Sequence, residues 1–287
     1  MILPSTTRAE QPTRSLTPRR SVHNLTTRQL DTLRQAFRAV MRIGDDRGYN
    51  YYAGIHGLPG RAGPSGIYCM HDLRLWLPWH RAYLYLFELA LRDQVRGASL
   101  PWWNWAAPLS HRSGIPETYT RRNVDGQQNP LFSAPISEAA QRDAREQGFQ
   151  NVPQETFRNP DPPDQLPDTD WAVRNENLLP LEDLLKVGDF RDFSEKLREI
   201  HDYIHGWTGG TMAQIEFAAY DPIFWAHHTM IDRIWRIWQK DHPGASFDLR
   251  TLGQALEPFP LTVAEVLDVT HLGYEYAAFE NSVPGTG

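Results

Sequence analysis

Cysteine is nearly absent. The 287-residue chain has one, Cys69, which excludes an internal disulfide framework and any Cys-rich zinc or iron–sulfur site. Basic residues are outnumbered, 29 against 35 acidic, for a net charge of −6. Nucleic-acid binders usually show a basic stripe, so no nucleic-acid partner is expected. No apolar run nears the ~20 residues of a membrane span, so no membrane partner is expected either. Arg19-Arg20 resembles a twin-arginine export signal, yet Ser21-Val22-His23-Asn24 follows where an apolar stretch should stand. A cytoplasmic location is the default expectation, with export on a partner protein as the other route. Against these shortages stand ten tryptophans, eleven histidines and 40% hydrophobic residues, enough for a packed core.

Apolar residues recur at helical spacing over 27–43, 79–95, 190–206 and 224–240, and strand-like alternation is scarce. The expected fold is mainly α-helical: a four-helix bundle with long surrounding loops and little β structure. Between Pro108 and Pro180, prolines such as those at 160, 162 and 163 break regular structure, with one short helix expected near 137–147. Residues 1–20 read as a polar tail or surface strap, 21–280 as one domain, and 281–287 as a second tail.

The histidines fall into two groups, His56, His71 and His80 in the first half and His201, His205 and His228 in the second, with His227 adjacent. His201 and His205 stand at i and i+4, so a helix projects both from one face. Alone, such a pair equally fits coincidence, and a lone histidine beside Ile231, Trp235 and Trp238 fits a satisfied core residue. Together they pose a harder problem, because each buried imidazole needs partners for two nitrogens. All-imidazole ligation suits copper, zinc, iron or nickel. The His-Glu-x-x-His pattern of zinc hydrolases is missing, since Asp202 follows His201. Two groups of three suggest two metal ions.

Trp76-Leu77-Pro78-Trp79-His80-Arg81 is similar to Phe-x-Pro-Trp-His-Arg, the first copper motif of the tyrosinase and catechol oxidase family of type-3 dicopper proteins. Asp221-Pro222-x-Phe224-x-x-His227-His228-x-x-x-Asp232-x-x-Trp235 resembles the second copper motif at every fixed position. Leu100-Pro101-Trp102-Trp103-Asn104-Trp105 resembles Leu-Pro-Tyr-Trp-Asp-Trp, with Asn104 in place of Asp. Tyr274-Glu275-Tyr276 is similar to the closing Tyr-x-Tyr motif.

The resemblance implies two copper ions, one on His56, His71 and His80, the other on His201, His205 and His228. His227 would then line or back the site. Cys69-Met70-His71 resembles the Cys-x-His of members whose cysteine forms a thioether to the imidazole, which makes Cys69 a crosslink candidate. The implied activity is oxidation of o-diphenols or o-aminophenols by dioxygen to o-quinones or o-quinone imines, through a peroxide bridging the coppers. A full tyrosinase would also hydroxylate monophenols. Proton handling in that step falls to Asp202, which stands where tyrosinases carry Asn, with Glu195 or Glu199. Gly206, Ile215 and Met230 are candidates for the substrate entrance. The chain ends eleven residues after Tyr276, so no shielding C-terminal domain is expected, and copper could come from a separate helper protein. Other readings are a haemocyanin-like oxygen binder, a mononuclear zinc hydrolase, or a metal-free fold.

Overall fold

The computed structural model describes residues 15–60, 74–167, 179–245 and 247–277. In chain order the elements are β1 (Thr17–Arg19), α1 (Thr27–Val40), α2 (Tyr49–His56), α3 (Trp76–Gln94), α4 (Pro108–Ser113), α5 (Glu117–Thr120), the hairpin β2 (Asn123–Val124) and β3 (Gln127–Gln128), α6 (Glu138–Glu146), α7 (Leu181–Leu184), α8 (Phe190–Thr208), α9 (Pro222–Asp241), α10 (Leu249–Leu252), α11 (Val263–Val266) and β4 (Tyr274–Tyr276). The fold is mainly helical with little sheet, as the sequence predicts. None of the described helices is long and apolar enough to cross a membrane.

Local chemistry starts and stops the long helices. Thr26 and Gln29 cap α1 reciprocally. Asp189 accepts hydrogen bonds from the Arg191 and Asp192 amides at the head of α8. Asp221 caps α9 ahead of Pro222, whose missing N–H costs nothing at a first helical position. Pro78 is tolerated within the first turn of α3 for the same reason.

After α8 the chain reverses through Gly209 and Gly210, both at positive φ. A Cβ on either would lie 2.3 Å from the Asn159 carbonyl oxygen or 2.2 Å from that of Phe157, so only glycine fits this approach. The region from 108 to 167 is thereby pinned to the bundle. Asn159 and Asp161 donate their amides to the Thr208 and Trp207 carbonyls. The short helix predicted near 137–147 is α6.

The core is aromatic. Phe87 stacks on Trp225 with ring centroids 3.7 Å apart, and Phe193 on Trp238 at 4.7 Å. These contacts lock α3 to α9 and α9 to α8. The periodicity of 27–43 is α1, which packs on α3 but carries no histidine. Beside α3, α8 and α9, the helix that brings a further histidine to the centre of the bundle is α2, which the sequence pattern does not announce.

The segment read as a polar tail or surface strap ends differently. Thr17–Arg19 pairs in parallel with Tyr274–Tyr276, register Thr17 to Tyr274. Arg19 is fully buried. Its Nε donates to Glu88 at 2.7 Å and its guanidinium lies 3.6 Å from the Tyr274 ring centroid. Asp232 joins the same network through Arg81 at 2.5 Å, Arg19 at 3.2 Å, Tyr274 at 2.7 Å and Tyr276 at 2.5 Å. Burial pushes the Asp232 carboxyl up, but Arg81 and Arg19 together hold it below its ordinary value. The segment 281–287 lies outside the described residues.

Candidate metal centre

Four helices aim imidazoles at one buried point. His56 closes α2, His80 sits early in α3, His201 and His205 share a face of α8, and His228 lies in the second turn of α9. Ligand atoms of His201, His205, His227 and His228 lie within 4.8 Å of one another, and so do those of His56, His80 and His228. Both groups contain His228. Its ring stacks on His80 with centroids 4.6 Å apart and planes 14° from parallel. Phe224, one turn earlier on α9, packs on His56 at 4.7 Å and on His228 at 4.1 Å, two rings that themselves meet edge to face at 6.0 Å.

The second group is the tighter. The Nε2 atoms of His201, His205 and His228 form a triangle with sides of 3.0, 3.2 and 3.3 Å. The opposite nitrogens fix what those atoms carry. His205 Nδ1 faces the Met212 carbonyl at 2.7 Å, and a carbonyl can only accept, so Nδ1 bears the proton. His201 Nδ1 likewise donates to the Asp202 carboxylate at 3.0 Å. Both Nε2 atoms therefore turn bare lone pairs toward the same point, and His228 can offer at most one N–H between them. Lone pairs crowded so closely need a cation. Imidazole nitrogens bound to a first-row ion at ~2.0–2.1 Å stand about 3.3–3.5 Å from one another, close to the observed triangle. In the first group His80 Nδ1 donates to the Trp76 carbonyl at 2.8 Å, which again leaves Nε2 as the donor atom for a metal. The residues fit metal ions with histidine ligands.

Burial, then the surrounding imidazoles, push His227 and His228 well below their ordinary value, so both are neutral. His227 is fully buried and stacks on His201 at 5.2 Å. Among the described residues neither of its ring nitrogens has a hydrogen-bond partner. The main chain of His201 is close enough to favour the protonated ring slightly but lies outside hydrogen-bonding geometry.

A cavity of about 240 Å³ opens onto His201 and His205. Its wall includes Asp202, Gly206, Ala213, Ile215 and Ala218. Of the entrance candidates, Gly206 and Ile215 line it, whereas Met230 is buried within α9 and is not part of its wall. Asp202 also faces this space. Glu195 and Glu199 are exposed on α8 and do not line it. Cys69 and His71 lie outside the described residues, and the thioether with them. Sequence reasoning missed Phe224, which packs on both His56 and His228, the Met212 carbonyl, which orients His205, and Trp76, whose buried ring packs 5.2 Å from His201. Of these only Phe224 and Trp76 belong to recognisable motifs.

Residues 46–241 match the family model described as the common central domain of tyrosinase. Hemocyanin 1 of Megathura crenulata is 29% identical over 238 residues, covering 78% of this chain and 7% of that protein. The G-type hemocyanin units Oda to Odg of Enteroctopus dofleini are 29% identical over 237 residues, covering 77% of this chain and 8% of theirs. The chain thus spans less than a tenth of the length of these relatives. Among solved structures, a functional unit of octopus hemocyanin superposes with a TM-score of 0.72 at 26% identity, covering 91% of this chain and 68% of that one. A tyrosinase from Burkholderia thailandensis superposes equally, TM-score 0.72, at 21% identity, covering 93% of this chain and 76% of that one, a likeness of fold.

Proposed function

The chain belongs to the tyrosinase family, its histidine groups forming a type-3 dicopper site, and from this we propose that it is an oxidase of o-diphenols or o-aminophenols. Two substrate molecules and one dioxygen would give two o-quinones, or quinone imines, and two waters. In this reading His56, His71 and His80 hold one copper, and His201, His205 and His228 hold the other. Bound copper supplies one-electron chemistry and a Lewis-acid seat for a phenolate oxygen.

The chain's own residues supply the rest. Main-chain carbonyls of Trp76 and Met212 fix the orientation of His80 and His205. Phe224 packs against both His56 and His228 and limits how either ring can turn. Burial of the imidazoles limits water around them. The observation that carries the reading is the cavity. It reaches the second histidine group through a wall that, apart from Asp202, is of small or apolar residues, with Gly206 presenting no side chain, and a flat aromatic ring fits such a space. Oxygen alone would need far less room.

Diphenol oxidation is favoured over hydroxylation of monophenols. Both oxygens of Asp202 are engaged, one with His201 and one with Arg198, and Glu195 and Glu199 stand away from the cavity. The second reading is reversible oxygen binding, supported by the haemocyanins among the relatives.

The test is oxygen uptake by the copper-loaded protein with catechol, 2-aminophenol and phenol in parallel. Uptake with the first two and not the third is expected. No uptake with any of them, with two coppers bound, would overturn the oxidase reading in favour of oxygen carriage.

A further inference from the structure

Three histidines of the metal centre have a defined Nδ1 partner, and they are held in two ways. His80 and His205 donate to main-chain carbonyls, which the surrounding backbone fixes in place. His201 donates instead to a side chain, the Asp202 carboxylate, at 3.0 Å. That carboxylate is about half exposed, at 48% of its full area. A solvated side chain with free torsions is a poor fixture for an imidazole unless something holds it in turn. Arg198 does so. One turn earlier on α8, its Nη1 donates to the other oxygen of Asp202 at 2.7 Å. The carboxylate is thus a bridge, with Oδ2 on the guanidinium and Oδ1 on the imidazole.

As a helix-stabilising pair, arginine four residues before aspartate is the weaker order and adds little. Its placement on a metal-facing histidine is what gives it a consequence. A carboxylate on the outer nitrogen sets the tautomer, fixes the ring plane and makes the inner nitrogen a better donor to the metal.

We propose that Arg198 is a positioning residue for the second copper, acting through Asp202 on the imidazole of His201. The inference rests on His201 being a copper ligand and not on the substrate. It assigns Asp202 to holding His201, so the carboxylate is not a free group at the cavity wall.

The test measures copper binding without phenol or oxygen, so failure of the oxidase reading leaves it intact. Apo protein is titrated with Cu(I) under nitrogen against a chromophoric chelator, and folding of each variant is checked by circular dichroism. Asp202→Ala is expected to weaken one of the two ions by roughly 10–100-fold. Arg198→Ala is expected to weaken the same ion by a smaller factor, and Arg198→Lys to recover part of the loss. The double variant is expected to bind no worse than Asp202→Ala alone, since Arg198 acts only through that carboxylate. Arg191→Ala, an exposed arginine on the same helix, is the control and should bind both ions normally. Unchanged affinity in Arg198→Ala would overturn the proposal. So would a loss that adds to that of Asp202→Ala, or one shared equally by both ions.

Discussion

His80 and His228 stack face to face, 4.6 Å between centroids and 14° from parallel, although they come from opposite halves of the chain. His228 is the one histidine common to both ligand groups among the described residues. In the proposed assignment His228 holds the second ion, and its ring also stacks on His80, so His228→Ala should remove the second ion and loosen the first. Copper in the purified variant is expected to fall below one ion per chain, against two in the parent. His205→Ala touches only the second group and should retain close to one. Metal analysis by atomic emission reads whether loss of the ring stacked on His80 also loosens the first ion, and equal retention in the two variants would contradict that.

Acid should destabilise the metal-free protein earlier than its carboxylates alone would require. His227 and His228 are held below their ordinary value of 6.5 in the folded state, chiefly by burial. The unfolded chain then binds more protons than the folded one below that value, so stability is full above about pH 6.5 and drains away as pH falls. Asp232, also lowered, adds a second loss only below its ordinary 3.8. Thermal unfolding of apo protein should show Tm dropping between pH 7 and pH 5. A flat Tm over that interval would contradict the assignment of buried neutral imidazoles.

Arg19→Ala should cost about 3 kcal/mol, because it strips a buried cation from Glu88 and Asp232. The figure is at the low end for a broken buried pair, since Glu88 keeps Arg92 and Asp232 keeps Arg81. Urea unfolding measures it. A change below ~0.5 kcal/mol would mean that β1 is not held as described.

Gly206 offers a substitution that separates fold from access. A Cβ there meets nothing within 4 Å. Gly206→Ala should raise stability by roughly 0.5–1 kcal/mol, the usual gain in a helix interior. Gly206→Phe should narrow the cavity and raise KM for bulky catechols more than for catechol itself. Gly57→Ala is the contrast: its Cβ would lie 2.4 Å from the Glu216 carbonyl oxygen, and loss of stability is expected there.

The long helices were legible because an apolar face at 3.6-residue spacing is a strong signal, and α3, α8 and α9 follow it closely. Helix α2 was not. Apart from Asn50, its residues Tyr49 to His56 are apolar or aromatic on every side, and Gly48 supplies no side-chain cap. Six histidines could be singled out, but their mutual arrangement depends on contacts between distant segments. Main-chain groups such as the Met212 carbonyl leave no mark in sequence at all. Arg198 and Asp202 read as an ordinary pair on an exposed helix face, and only the closeness of Asp202 to His201 Nδ1 gives the pair a role. Strand β1 is three residues long and finds its partner at the far end of the chain, beyond any local pattern.

That last pairing bears on how the protein is made. Synthesis runs from the N-terminus, and β1 emerges long before Tyr274 and Tyr276 exist. Until the ribosome has released residue 276, Arg19 has no strand to join, and Asp232 lacks two of its four partners. The helix carrying His228 then lacks the hydrogen bonds that Tyr274 and Tyr276 make to its Asp232. Closure of the metal centre in this sense waits for β4, and a nascent chain stalled before Tyr274 would expose its histidines without the frame that holds them.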